Sequence, residues 1–242
     1  MVKKFLDVIK KVKKKDSNTK SYVHTNEAIK SEIHSLQWAV ENEKQFIDNI
    51  LRAYPTAFLM KHLEKITFAH ILDVGSGPVS YLLNFVRQNS NRFKLTSVDA
   101  LAEHYAELMK QYGYDVPENI ACYAEDLDTI FAPKTFDIIF SSNSLDHTID
   151  ITKSLQKMAV VLKDDGFIYV LCNINEKDRN KGEGMHFHNV NLIDGRLIID
   201  GDELIDILNL KICDQNIYAQ TWTIGGKEYG APRFEVILRK NL

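Results

Sequence analysis

Ile71-Leu72-Asp73-Val74-Gly75-Ser76-Gly77-Pro78-Val79-Ser80 is the stretch that decides how this chain is read. Ala69 to Val74 is a short, mostly apolar run with one carboxylate near its end. It passes into Gly75-Ser76-Gly77 and then into a helical pattern from Val79 to Val86, reaching about residue 89. A strand, a glycine turn and a helix N-terminus in that order build a site for a small polar ligand in α/β proteins. Glycine reaches positive φ and carries no Cβ, so the backbone can approach a ligand and the N–H groups of a first helical turn can face it. Pro78 suits that first turn, where its missing N–H costs no hydrogen bond.

The residues around the glycines separate the candidate ligands. A dinucleotide fingerprint requires G-x-G-x-x-G, and here Ser80 stands in the third glycine's place. Asp73, two residues before Gly75, puts a negative charge at the carboxyl end of the strand, where a pyrophosphate would be repelled and an ammonium group attracted. The Asp-x-Gly-x-Gly loop therefore favours S-adenosylmethionine over NAD. Taken alone, the same residues also fit a tight βα turn with no ligand.

Further strand patterns follow in order. Phe93 to Val98 is a second apolar strand ending in Asp99, placed where a carboxylate accepts hydrogen bonds from a ribose diol. Ile120 to Ala124 is a third, followed by Glu125-Asp126-Leu127, where an acidic side chain can face an adenine amino group. Phe136 to Ser141 is a fourth, and Leu162 to Leu171 leads through a Leu-Lys-Asp-Asp-Gly turn into a fifth. From about Ala69 to Leu242 this order of motifs resembles the class I S-adenosylmethionine-dependent methyltransferases of the small-molecule type. The resemblance implies a Rossmann-like, seven-stranded, mostly parallel sheet with an antiparallel last strand and helices on both faces. It also implies S-adenosylmethionine as cofactor, S-adenosylhomocysteine as product, and cofactor contacts from Asp73, Gly75, Ser76, Gly77, Asp99, Ala100, Leu101, Glu125, Asp126, Leu127, Ser142 and Asn143.

Composition sets the frame around this core. The 242 residues, 45% of them hydrophobic, suit one large domain with a modest extension. No apolar run approaches the ~18 to 20 residues needed to cross a bilayer, and the N-terminus lacks a signal-peptide pattern. The three cysteines, Cys122, Cys172 and Cys213, have no metal-ligand spacing and read as small buried hydrophobes in a reducing compartment, so a cytoplasmic protein is expected. Residues 1–20 carry eight lysines against two aspartates. Since the whole chain has a formal charge of −3, residues 21–242 carry −9, which argues against a nucleic-acid footprint on the core. Phe5, Val8, Ile9 and Val12 share one helical face among those lysines. Such a pattern is more often a solvated helix than a contact with an anionic membrane surface, and residues 1–15 leave both open.

The expected organisation is a basic segment over 1–20, an N-terminal helical layer over 21–67 and a methyltransferase domain over 68–242. In the layer, Ile29, Ile33, Leu36, Val40, Ile47, Ile50 and Leu51 recur at helical spacing, with a break at Pro55 and a further helix from Ala57 to Leu63. The resemblance makes this layer a cover over the cofactor cleft, with Trp38, Tyr54 and His62 as candidates for lining it, although aromatics there are more often core contacts. Helices are expected at about 79–89, 101–112 and 149–162, with Gly113 stopping the second. Beyond Leu171 the pattern predicts a polar loop over Cys172–Asn191, a hairpin turning at Asp194-Gly195 and a short helix over Asp202–Leu208. Two strands then follow over Leu210–Thr223 and Phe234–Arg239, joined by a connection from Gly225 to Pro232.

Catalytic candidates lie beyond the fourth and fifth strands, because α/β sheets bind ligands at the carboxyl ends of their strands. The first gives Ser141-Ser142-Asn143-Ser144-Leu145-Asp146-His147 and the second a glycine-rich cover containing Met185-His186-Phe187-His188. Histidine suits removal of a proton from an acceptor hydroxyl, so His147 and His186 are the catalytic candidates, with Trp38, Asp146 and His188 as substrate contacts. His186-x-His188 near Asp146 could also hold a metal, but third and fourth ligands do not announce themselves and none is expected. The favoured reading is an enzyme that methylates a small polar acceptor, an oxygen of a sugar, nucleotide-linked sugar or related metabolite. A NAD-dependent oxidoreductase and a non-catalytic module of the same fold are the alternatives.

Overall fold

The computed structural model describes residues 26–42, 46–117, 119–181, 184–203, 209–224 and 227–241. The basic face built on Phe5, Val8, Ile9 and Val12 lies outside them. Three helices open the described chain: α1 (Asn26–Asn42), α2 (Phe46–Leu51) and α3 (Ala57–Leu63). The Thr56 hydroxyl caps α3 by accepting from the Leu59 amide, so the chain re-enters helix directly after Pro55. There follow β1 (Ala69–Val74), α4 (Leu83–Gln88), β2 (Phe93–Asp99), α5 (Ala102–Gln111), β3 (Ile120–Ala121), α6 (Leu127–Ile130), β4 (Phe136–Ser142), α7 (Ile151–Val161) and β5 (Leu162–Asn173). A short α8 (Glu176–Arg179), the strands β6 (Val190–Ile193), β7 (Arg196–Ile199) and β8 (Asp202–Glu203), and the long pair β9 (Leu210–Ile224) and β10 (Lys227–Lys240) complete it.

Seven strands form one sheet in the order β3-β2-β1-β4-β5-β10-β9. Strands β1 to β5 pair in parallel, and β10 runs antiparallel to both β5 and β9. The fold is Rossmann-like, as expected. Its central strands are apolar on both faces because both are covered. In β5, Phe167, Tyr169 and Leu171 pack with Leu59, Leu63, Leu82 and Phe85, while Ile168, Val170 and Cys172 face Leu127, Leu155 and Met158 of α6 and α7. A third cluster joins α1 and α2 to α5 through Leu36, Val40, Ile47, Ile50, Tyr105 and Met109, and it takes in Met185. No described helix is long and apolar enough to cross a membrane.

Several boundaries differ from expectation, each for a local reason. Helix α4 starts at Leu83 and not at Val79, because the Ser80 hydroxyl accepts from the Leu82 amide and holds a turn there. The third strand keeps only Ile120–Ala121 of the expected five residues, since it is a sheet edge that turns at once into the Ala124–Asp126 turn. Gly113 does stop α5, with φ of +76°. Asp194 and Gly195, at φ of +49° and +75°, make the tight turn between β6 and β7, and the hairpin gains a third strand at Asp202–Glu203 where a helix was expected. The remainder of that helix, residues 204–208, lies outside the described residues. Strand β10 begins at Lys227, so the expected connection to Pro232 is itself paired with β9. Pro232 stands where the ladder with β5 ends at Arg233, and it needs only its carbonyl there, which accepts from the Ile174 amide. Cys172 is buried, but Cys213 is exposed on the edge strand.

Candidate active site

A cleft of about 390 Å³ opens at the carboxyl ends of β1, β2 and β4. Gly75, Ser76 and Gly77 form its floor, with φ of +72° and +63° at the two glycines. A Cβ added at Gly75 would collide with the Ser144 side chain, whereas at Gly77 it would project into open space. Asp99 ties this loop to β2: its Oδ2 accepts from the Gly77 amide at 2.9 Å and its Oδ1 from the Leu101 amide at 2.8 Å. Burial raises the Asp99 carboxyl above its ordinary pKa, and these two amides work against that rise. Ala100, Leu101, Glu125, Ser142, Asn143 and His147 also line the cleft. Asn143, at φ of +53°, is fixed by its own amide donating to Leu171 O and its Oδ1 accepting from the Asn173 amide.

Other candidate residues stand elsewhere. Asp73 is 1% exposed, beneath the loop and not in its wall. Its carboxyl bonds the Ser80 hydroxyl, its Oδ2 has no partner, and burial pushes its pKa up to about 7. Glu125, although it lines the cleft, is buried and spends Oε1 on the amides of Ile149 and Asp150 at 2.8 and 3.0 Å, fixing the approach to α7. Asp126 turns outward to Lys153, and Leu127 belongs to the core beneath α7, so neither reaches the cleft. Trp38 is 46% exposed, Tyr54 packs edge-on against Phe85, and His62 bonds Asp214 on the far side of the sheet. The layer instead lines the cleft with Glu32, Ser35, Leu36 and Ala39 of α1. Their spacing places them on one helical face, which Trp38 does not share. Tyr105, Tyr123 and Met185 also line it, without a motif to announce them.

The turn after β4 and the segment before β6 meet beside this cleft. Asp146 O accepts from the amides of Phe187 and His188, at 2.8 and 3.3 Å, which pins the two segments together. Asp146 Oδ2 lies 2.6 Å from His186 Nδ1, which lies 3.2 Å from His147 Nε2. The carboxylate side chain is 4% exposed and the two imidazoles about a fifth. Burial opposes ionisation of Asp146, but the His186 hydrogen bond and the nearby imidazoles hold its carboxyl below the ordinary range. Burial likewise pulls His186 down, yet the Asp146 hydrogen bond and charge leave it above the ordinary imidazole value. His188 is not part of this group: its Nδ1 bonds Asp200 Oδ2 at 2.6 Å, at the base of the hairpin.

Residues 72–170 match the family model described as a methyltransferase domain. Over those residues the chain is similar to methyltransferase domains, and the seven-stranded sheet around them has the Rossmann-like methyltransferase fold. Among solved structures, the chain is similar to the 1,6-didemethyltoxoflavin-N1-methyltransferase of Burkholderia thailandensis, solved with 1,6-didemethyltoxoflavin and S-adenosylhomocysteine. That match has 16% identity, a TM-score of 0.52 and coverage of 93% of this chain and 94% of the other. A chain of the Haloferax volcanii complex between the Trm112 activator and a methyltransferase gives 14% identity, a TM-score of 0.53 and coverage of 85% and 97%. The YcgJ protein of Bacillus subtilis gives 14%, 0.51, and 80% and 99%. At these identities the likeness is one of fold. No curated protein matches the sequence.

The cleft suits the S-adenosylmethionine expected of a methyltransferase domain. Gly77 lines the cleft with no atom near the position of a Cβ, so its backbone is accessible to a ligand. The cleft volume lies in the range of small-ligand sites.

Proposed function

We propose that this methyltransferase acts on a hydroxyl of a small polar acceptor, a sugar, nucleotide-linked sugar or related metabolite, held between the glycine loop and the Asp146–His147–His186 group. The observation that carries the reading is that His147 lines the same cleft as Gly77 and Asp99 while touching His186, which is anchored by Asp146. Bound S-adenosylmethionine would supply a sulfonium-linked methyl group for an acceptor lone pair, with S-adenosylhomocysteine as the leaving sulfide. What remains for the chain is to bind, orient and deprotonate.

Gly75, Ser76 and Gly77 offer backbone to the cofactor, and Asp99 retains a lone pair on each oxygen for the ribose hydroxyls. Ala100, Leu101, Tyr123, Ser142 and Asn143 complete the cofactor wall. Glu32 and Ser35 of α1 face the acceptor from the covering layer. The acceptor proton leaves at the His147–His186 pair, Asp146 stabilising the positive charge that forms, and then passes to solvent. The balance of −9 over residues 21–242 suits a small-molecule acceptor and not a nucleic acid.

The test uses S-adenosylmethionine labelled in its methyl group with a panel of hydroxylated and amino metabolites. Label should move to a hydroxyl acceptor, and His147→Ala or His186→Ala should lower kcat by ~10²- to 10⁴-fold while cofactor affinity stays near wild type. Losses under about tenfold in both variants would leave positioning alone as the source of rate and remove the histidines from the reaction.

A further inference from the structure

We propose that Asp146 Oδ2, His147 Nε2 and His186 Nδ1 are three ligands of a divalent transition-metal ion beside the cleft. The inference deepens the acceptor-site reading above and rests on it for the ion's role, though not for its binding. The three donor atoms form a triangle with edges of 2.6, 3.2 and 3.6 Å, and they are the group of this kind found among the described residues. Metal–nitrogen and metal–oxygen bonds of about 2.0–2.2 Å put neighbouring ligands roughly 2.8–3.6 Å apart, which is close to this face.

The triangle presents three donor atoms to a common point. His186 Nδ1 can carry one hydrogen, yet it faces both an ionised carboxylate and His147 Nε2. Once that hydrogen is released, His186 Nδ1 offers a lone pair beside the Asp146 carboxylate and His147 Nε2. The 3.6 Å separation of His147 Nε2 from Asp146 Oδ2 is too long for a hydrogen bond. A cation at the common focus satisfies all three lone pairs at once. The face is also built in advance, since Asp146 O holds the amides of Phe187 and His188 and so fixes both ligand-bearing segments.

Two imidazoles and one carboxylate select zinc, cobalt, iron(II) or manganese over magnesium or calcium, and three protein ligands leave positions open. An acceptor hydroxyl at an open position ionises more readily, because the cation stabilises the oxygen anion. Its O–H bond breaks with the proton passing to water; its lone pair forms the O–C bond; the C–S bond breaks with its electrons staying on sulfur. The imidazoles then act as ligands, with the proton going to solvent.

The experiment takes the full chain stripped with EDTA and titrates it with Zn²⁺ alone and Co²⁺ alone, following heat and the Co²⁺ visible spectrum. One ion per chain is expected, bound at least about 100-fold more weakly in His186→Ala and Asp146→Asn, since even outer-shell changes cost about 10- to 100-fold. His188→Ala should bind the ion as wild type does, because Asp200 holds that ring away from the triangle. S-adenosylhomocysteine affinity, measured alongside, reports that each variant is folded. Should a variant fail to fold, Co²⁺-shifted histidine proton resonances in the wild type serve instead, with two rings expected to move. The absence of stoichiometric binding, or binding unchanged in both ligand variants, overturns the site. Histidine variants that lose turnover in a protein that binds no ion would do so too, while leaving the acceptor reading standing.

Discussion

Asp73 is the residue whose environment is least favourable to its charge. It is buried against Ser97 and Phe140 of the neighbouring strands, and one carboxyl oxygen has no partner. With the folded pKa raised to about 7, the sign of the linkage follows. Below about pH 4 the carboxyl is protonated both folded and unfolded; from about 4 to 7 only the unfolded chain gives up the proton. Stability contributed by this group is therefore lost as pH rises through that window, on the order of 2–4 kcal/mol in total. Asp73→Asn should melt close to wild type at pH 4 and clearly above it at pH 8. A difference that does not change with pH would contradict this. The acidic strand end was legible in the sequence, but its direction was not, because Asp73 turns to Ser80 and away from the cleft. The same limit applies to Glu125-Asp126-Leu127: one commits its carboxylate to the amides just before α7, the next faces solvent, and the third is core. Side-chain direction in a turn depends on partners distant in sequence, here the amides of Ile149 and Asp150.

Among the elements, the glycine loop gives the sharpest contrast. Gly75 packs its Cα face onto Ser144, so Gly75→Ala meets both a positive φ and a collision and should cost several kcal/mol of stability. Gly77→Ala meets only the positive φ, costing about 1–2 kcal/mol, but its methyl group enters the cleft. Urea unfolding paired with S-adenosylhomocysteine titration separates them: Gly75→Ala should mainly lower stability, and Gly77→Ala mainly affinity. Equal effects of both on both measurements would refute that contrast. The loop's position was legible because glycine spacing is local chemistry, whereas the delayed start of α4 depends on the Ser80 hydroxyl capturing the Leu82 amide. In α1 the stripe of Ile29, Ile33, Leu36 and Val40 already marked the inward face. Trp38 lies off that stripe, and its exposure follows from spacing that chemical attraction to an aromatic had outweighed.

Across the whole molecule, the sheet order brings the ends of β1, β2 and β4 together, so a loop at residue 75, a carboxylate at 99 and a histidine at 147 share one cleft. Alternating strand and helix patterns fix the parallel half of that order, since crossovers between parallel strands are right-handed and short. The insertion of β10 between β5 and β9 and the small β6–β7–β8 sheet were only partly legible, because antiparallel pairing is set by contacts far apart in sequence. So was the meeting of His186 with Asp146, forty positions earlier. We propose that this cleft is a methyl-donor site organised by Asp99. Its most direct test is isothermal titration of S-adenosylhomocysteine and of NAD into wild type and Asp99→Ala. S-adenosylhomocysteine should bind the wild type one to one and NAD should not, and Asp99→Ala should weaken binding by roughly 30- to 150-fold, or about 2–3 kcal/mol, without unfolding the chain. Tight binding of NAD, or an Asp99→Ala affinity equal to wild type, would contradict the account.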